Sequence, residues 1–121
     1  MEIIPVSGFE NVFMVDCFQN ELTALFKDSK NQLKQFSKFL MANLHSLENR
    51  DDLLASAEKV KGTKYKLFSI HKRMNKNTRV LYFCSCGNTI VLITAFDEKN
   101  WADYGKAIKR AENRVRRLGL Q

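Results

Sequence analysis

Several signatures of common enzyme and membrane-protein classes are missing from this chain. It has no glycine-rich phosphate loop, no G-x-S-x-G nucleophile elbow, no internal repeat and no low-complexity tract. No stretch approaches the roughly 20 apolar residues that a membrane-spanning helix needs. The opening segment, MEIIPVSGFENVF, lacks the basic start of a secretory signal, so we expect a cytoplasmic location. With 121 residues, 45% of them apolar, one domain over residues 1–121 is expected.

Cysteine is also scarce, and its positions do not favour a disulfide or a metal site. Cys84 and Cys86 are two apart on one predicted strand, a poor geometry for bridging each other, and Cys17 is distant in sequence. With only two histidines, the chain lacks the paired ligand spacing of a zinc site. We therefore expect reduced cysteines that serve packing, no metal and no cofactor.

Positive charge is abundant, and it is concentrated in the second half of the chain. Residues 1–58 hold five Lys/Arg and nine Asp/Glu, a net charge of −4. Residues 59–121 hold fifteen Lys/Arg and four Asp/Glu, a net charge of +11. This half favours a polyanionic partner, with nucleic acid first and a membrane surface second, and it also suits an acidic protein.

The basic half contains three predicted β-strands, over residues 64–72, 78–85 and 89–95. The segments between them contain Asn and Gly, which tolerate positive φ, so short antiparallel hairpins are expected. The second and third strands, RVLYFC and TIVLITAF, carry branched and aromatic residues on both faces. Such strands are typical of the centre of a sheet that is covered on both sides.

The first half is predicted to begin with a strand and continue with two helices. The strand is expected over residues 9–18 and the first helix over residues 20–26. Ser29, with Gln32 three residues on, resembles a capping box that starts the second helix. The second helix has one apolar stripe, formed by Leu33, Phe36, Leu40, Leu44 and Leu47.

A polar segment and a last helix complete the secondary-structure prediction. Residues 48–63 are expected to be irregular, with a short helical turn over residues 53–57. Asn100 is expected to cap the last helix, with Asp103 in its first turn and Gly119 at its end. The apolar stripe of this helix consists of Tyr104, Ala107, Ile108, Ala111, Val115 and Leu118.

A group of polar residues in the predicted sheet is the main candidate for a functional site. Ser69, His71 and Arg73 are spaced by two and therefore share one face of the first of the three strands. Arg79 begins the next strand and Lys99 follows the third, so the hairpins gather several cations around an imidazole. Such a group can hold a phosphodiester and move its protons. The alternative is that these cations are only solvated residues near a turn.

Four short motifs, in order, give this chain a family resemblance. KVKGTKYKLFSIHKR looks like "L-k-G-x-x-x-L-y-E-L-R", and TRVLYF is similar to "y-R-v-l-Y". IVLITAFDEK looks like "i-v-L-L-h-g-F-x-K-K", and KAIKRAENR is similar to "e-I-x-x-A-x-x-R". Together they resemble the RelE/ParE superfamily of bacterial toxin–antitoxin toxins, in particular its HigB-like branch. The resemblance covers residues 58–118; the N-terminal half matches only in architecture.

The resemblance implies both a fold and an activity. The implied fold is α+β, with an N-terminal strand and two helices packed on a mainly antiparallel four-stranded sheet, and a C-terminal helix. Toxins of the RelE and HigB branches are mRNA endonucleases that usually act in the ribosomal A site. The implied reaction is metal-independent attack of a 2′-hydroxyl on the adjacent phosphate. The implied partners are mRNA, the ribosome and a cognate antitoxin, often a helix-turn-helix protein through which the complex binds operator DNA.

The resemblance also implies roles for individual residues. Arg79 matches the arginine of "y-R-v-l-Y" and is expected to stabilise the transition-state phosphate. His71 stands where the family has a basic residue and is expected to act as acid or base, because an imidazole ordinarily titrates near neutral pH. Arg73 is expected to bind phosphate, and Lys99, which matches the second lysine of "F-x-K-K", is a further catalytic candidate. Tyr104 is expected to stack on a base or donate to the leaving oxygen. Further candidates for RNA contact are Lys72, Lys76 and Glu98.

Two departures from the family pattern bear on this interpretation. Ser69 replaces a charged residue, and Glu98 replaces the first lysine of "F-x-K-K". An acidic residue there weakens phosphate binding unless it serves as a base or pairs with a neighbour. Two of the candidates also have a purely structural interpretation. His71 is then a partly buried histidine, and Tyr104 is then only a residue of the apolar helix stripe.

Two other classes of function are compatible with the same sequence. One is a ParE-like inhibitor that binds DNA gyrase and cleaves nothing, since one fold supports both activities. The other is a nucleic-acid-binding module without catalysis. The grouping of an imidazole with cations favours the nuclease.

Overall fold

The computed structural model of the protein describes residues 1–49, 57–85 and 88–120. In these residues it has an α+β fold with six strands and three helices. The elements are β1 (Ile3–Pro5), β2 (Val12–Val15), α1 (Phe18–Leu25), α2 (Lys30–Glu48), β3 (Ala57–Lys59), β4 (Leu67–Arg73), β5 (Asn77–Cys84), β6 (Ile90–Asp97) and α3 (Trp101–Leu118).

The strands form one mixed sheet in the order β1-β2-β6-β5-β4-β3. The pair β2–β6 is parallel, with Val12 opposite Ile90, and all other neighbours are antiparallel. The three strands predicted in the basic half are confirmed as β4, β5 and β6, which lie consecutively in the sheet. β5 and β6 are central strands; five of the eight residues of β5 and seven of the eight residues of β6 are buried.

The sheet differs from the prediction in having six strands instead of four. The short strands β1 and β3 lie at its two edges, and neither was predicted. The strand predicted over residues 9–18 is limited to Val12–Val15, because helix α1 already begins at Phe18. The turn predicted over residues 53–57 falls mostly outside the described residues, and its last residue, Ala57, begins β3.

The helices begin and end largely as their sequences predict. The Ser29 hydroxyl accepts a hydrogen bond from the Gln32 backbone N–H (3.2 Å) and caps α2. Asn100 and Asp103 form a reciprocal capping box at the start of α3. Gly119 ends α3 with φ +67°, a left-handed conformation that glycine adopts without the steric cost of a Cβ. None of the helices in the described ranges is long and apolar enough to cross a membrane.

The core lies between the sheet and the helices on its two faces. On one face, the Lys72 ammonium of β4 lies 4.7 Å from the ring centroid of Phe39 in α2. The neighbouring residue His71 points to the opposite face, where α3 packs. Both faces are therefore covered, as the apolar sequences of β5 and β6 predict. The largest fully buried side chains include Phe18, Phe36, Phe83, Leu40, Leu44 and Leu92.

A polar network joins α1, β6 and α3. Both terminal nitrogens of Arg114 donate to the Glu21 carboxylate, at 2.9 and 2.6 Å. The Thr94 hydroxyl also donates to Glu21 (2.9 Å) and accepts from Arg110 Nε (3.0 Å). Burial alone would raise the pKa of Glu21, but the hydrogen bond and charge of Arg114, the hydrogen bond from Thr94 and the charge of Arg110 together hold that pKa below its ordinary value.

Candidate functional site

The antiparallel pairing of β4 with β5 places the candidate residues in register. His71 lies directly opposite Arg79, and Arg73 lies opposite Asn77. Residues directly opposite one another, or two apart along a strand, share a face, so Ser69, His71, Arg73 and Arg79 lie on one side of the sheet. We call the group of side chains centred here the Arg79 cluster; it consists of Ser69, His71, Asn77, Arg79, Glu98 and Tyr104.

Arg79 makes three different contacts within this cluster. Its Nε donates to the Glu98 carboxylate (2.7 Å), and its Nη1 donates to the buried Ser69 hydroxyl (3.0 Å). Its guanidinium carbon lies 4.6 Å from the ring centroid of Tyr104, a cation–π contact. The Arg79 and Glu98 side chains are only 15% and 14% exposed. The guanidinium is therefore fixed in position, and within the described ranges its Nη2 has no hydrogen-bond partner.

The His71 imidazole is oriented by Asn77, a residue that the sequence analysis did not single out. The Asn77 Nδ2 donates to the Glu98 backbone carbonyl (3.2 Å), which fixes the orientation of the amide group. The amide oxygen therefore faces His71 Nε2, and the imidazole donates to it. In the neutral ring this arrangement leaves Nδ1 as an acceptor. The signal for Asn77 was its position on β5, two residues from Arg79 and on the same face.

The start of α3 brings Tyr104 to the cluster. The backbone N–H groups of Asn100 and Lys99 donate to the Asp103 carboxylate, and these bonds hold the pKa of Asp103 below its ordinary value. Tyr104, one residue further, packs edge-on against Phe96 of β6 at a centroid distance of 5.7 Å. The capped first turn thus determines where the tyrosine ring meets Arg79.

The remaining predicted cations are distributed unequally around this cluster. Arg73 is exposed on the same face at the end of β4, and Lys99 is exposed in the β6–α3 connection directly after Glu98. Lys72 lies on the opposite face, over Phe39. Lys76 lies in the β4–β5 turn and lines a separate cavity with Phe26 and other residues near the α1–α2 connection. The structure therefore brings Arg73 and Lys99 to the vicinity of the cluster, but not Lys72 or Lys76.

Glu98 occupies a different environment from the one expected for a residue that contacts RNA. Its carboxylate is paired with Arg79, so this acidic residue compensates a neighbouring charge. Its backbone also joins the cluster, since the Glu98 N–H donates to the Asn77 carbonyl (2.8 Å). Glu98 is thus held at the same end of the sheet as His71 and Arg79.

Among the described residues there is no group of three or more His, Cys, Asp or Glu side chains that could hold a metal ion. Comparisons of the chain with protein-family models, with curated proteins and with solved structures found no match.

Proposed function

We propose that the protein is an endoribonuclease toxin of the RelE/HigB type, which cleaves mRNA and is neutralised by a cognate antitoxin. The observation that carries this proposal is the cross-strand pairing of His71 with Arg79, both of which are only partly buried. An imidazole next to a positioned guanidinium provides a proton carrier and a phosphate ligand in one place. The four sequence motifs and the high positive charge of residues 59–121 support the same conclusion.

In the proposed reaction, the 2′-oxygen of one nucleotide attacks the adjacent phosphorus atom, and the bond to the 5′-oxygen of the next nucleotide breaks. A base takes the 2′-hydroxyl proton, and an acid supplies a proton to the leaving 5′-oxygen. The products are a 2′,3′-cyclic phosphate and a 5′-hydroxyl. Neutral His71 has an acceptor at Nδ1 for the first of these protons.

Arg79 is proposed to stabilise the charge that develops on the phosphate oxygens. Its Nε and Nη1 are engaged by Glu98 and Ser69, so the guanidinium is already oriented before RNA binds. The Nη2 donors remain for phosphate oxygens. Arg73 and Lys99, both exposed nearby, would bind flanking phosphates. Tyr104 lies against Arg79 and would contact the substrate from the α3 side.

The ion pair between Arg79 and Glu98 favours a second candidate, the ParE-like gyrase inhibitor that cleaves nothing. A carboxylate at 2.7 Å offsets the charge that the guanidinium would present to a phosphate. An inhibitor would use the same ion pair only to fix the local structure. The two candidates predict different cellular damage, namely cleaved message in one case and trapped gyrase–DNA complexes in the other.

The test is primer extension on mRNA after induction of the protein, with in vitro cleavage in the presence and absence of ribosomes. We expect new 5′ ends within translated regions. Arg79→Ala should lower the cleavage rate by about 100-fold or more, and His71→Ala by a similar factor. Arg117→Ala, an exposed arginine on α3, is the matched control and should cleave normally. Intact message with trapped gyrase–DNA complexes, or full activity of Arg79→Ala, would refute the proposal.

A further inference from the structure

Trp101 is the only tryptophan in the chain, and its side chain is almost fully in water. It is 87% exposed, whereas Met1 and Ile3, the other exposed large apolar residues in the part of the chain that the structure describes, are 44% and 39% exposed. A buried indole stabilises a folded protein through the hydrophobic effect, and the exposed side chain of Trp101 does not provide this stabilisation. The position of Trp101 therefore calls for an explanation other than the packing of the fold.

Trp101 stands at the wall of an open groove. The groove has a volume of about 420 Å³ and lies between the first turns of α3 and the segment that includes β3 and continues beyond it. Val60, Tyr104 and Ile108 form apolar parts of its surface. Its other lining residues are Glu58, Lys59, Lys61 and Gly105. The groove thus combines an exposed aromatic plane with two exposed lysines and one acidic residue.

The groove and the Arg79 cluster share one residue, Tyr104. The Tyr104 ring contacts the Arg79 guanidinium at 4.6 Å and also lines the groove beside Trp101. A polymer with one phosphate at Arg79 would therefore reach the groove with a neighbouring residue. The lysines on the rim lie in the half of the chain whose net charge is +11, so the charge favours an anionic polymer.

We infer that this groove is a nucleobase-binding subsite, in which a base next to the scissile phosphate stacks on Trp101 while Lys59 and Lys61 neutralise flanking phosphates. Stacking on an aromatic ring beside a cationic track is how proteins bind single-stranded RNA without reading sequence. An acidic peptide would match the lysines, but it would match the indole only where it also carried an aromatic side chain, whereas every nucleotide has both a phosphate and a flat base. This inference rests on the proposed function for the position of the scissile phosphate.

The test uses the fluorescence of Trp101 and an RNA that cannot be cleaved. A single-stranded oligoadenylate of roughly eight nucleotides, methylated at every 2′-oxygen, lacks the attacking hydroxyl, so only binding is measured. It should quench the tryptophan emission, whereas inorganic polyphosphate of the same charge should not. Binding of a labelled version, followed by anisotropy, should weaken about 5- to 150-fold in Trp101→Ala, which loses one stacked base. Trp101→Phe retains an aromatic face and should lose less than about fivefold.

The control is Ile3→Ala, which removes an exposed apolar side chain from β1, at the opposite edge of the sheet from β3 and the groove. This variant should bind the RNA like the unmodified protein. Unchanged RNA affinity in Trp101→Ala, or equal quenching by polyphosphate, would overturn the subsite. Loss of affinity for polyglutamate but not for RNA would overturn it too, and would assign the groove to an acidic protein. The proposed function is judged separately, since intact message after induction would refute cleavage even if stacking were observed.

Discussion

Arg114 provides the sharpest test of how this fold is held together. Its guanidinium donates twice to Glu21 of α1 and once to the Ile93 carbonyl of β6, at 2.8 Å. The Arg114 and Glu21 side chains are 13% and 25% exposed, so this ion pair is largely shielded from water. Replacing Arg114 by alanine removes all three bonds and leaves the Glu21 carboxylate with Thr94 as its remaining donor in the described residues.

The expected cost lies between two limits. Exposed ion pairs contribute about 0–1 kcal/mol, whereas removing one partner of a fully buried pair costs about 3–5 kcal/mol. The partial burial and bidentate geometry of this pair place it between them. We therefore expect Arg114→Ala to lower the free energy of unfolding by about 2–3 kcal/mol.

Urea unfolding followed by circular dichroism measures this change. The matched control is Arg117→Ala, which removes an exposed arginine from the same part of α3 and should cost less than about 0.5 kcal/mol. Glu21→Gln and the variant that combines it with Arg114→Ala complete a double-mutant cycle. The coupling energy between Glu21 and Arg114 from this cycle should exceed about 1 kcal/mol. An Arg114→Ala free energy of unfolding within about 0.5 kcal/mol of the unmodified protein would refute the reasoning.

The same ion pair predicts a dependence of stability on pH. The pKa of Glu21 in the folded protein lies below the ordinary value of 4.5. A carboxyl whose folded pKa is depressed contributes stability that is fully present above its unfolded pKa and is lost as the pH falls through the folded pKa. Unfolding free energies should therefore decrease below pH 4.5, and they should decrease less in Arg114→Ala, where this interaction is absent. Equal acid sensitivity of both proteins would contradict the assignment.

Substitutions at three further positions test the core and the ends of α3 by the same unfolding measurement. Leu44 is fully buried, so Leu44→Ala should lower the free energy of unfolding by about 2–5 kcal/mol, and Leu44→Met should lower it by less than about 1.5 kcal/mol. Equal losses in the two variants would argue against close packing around Leu44. Asn100→Ala should cost about 1 kcal/mol, and Asn100→Asp, which keeps the capping oxygen, should cost much less. Gly119→Ala should cost about 1 kcal/mol because its φ is +67°, and no change would contradict the left-handed end of α3.

The sequence predicted those parts of the fold that depend on neighbouring residues. The cap at Asn100 and the end of α3 at Gly119 involve contacts within one helical turn, so a few consecutive residues of the sequence are enough to predict them. The hairpins of β4, β5 and β6 follow from runs of branched and aromatic residues that are separated by turn residues. His71 and Arg73 are two residues apart, so the two-residue period of a strand is enough to predict that they share one face.

The edge strands required the tertiary structure. β1 and β3 have three residues each, too few to show a period, and they are strands only because β2 and β4 offer them backbone partners. Their residues therefore carried no local signal, and the predicted four-stranded sheet was too small.

The same distinction between local and tertiary information applies to the candidate site. The sequence by itself determined which chemical groups lie on the β4–β5 face, because strand periodicity and hairpin pairing are short-range properties. Only the tertiary structure decided that Glu98 pairs with Arg79, that Asn77 orients His71, and that Trp101 stays in water. Arg79 and Glu98 are separated by 19 positions. Arg79 has water, phosphate and other acidic side chains as possible partners, and Glu98 has water and many other cationic side chains. The pairing of β5 with β6, in which Thr78 lies opposite Asp97, brings Glu98 beside Arg79, and Tyr104 of α3 contacts the same guanidinium.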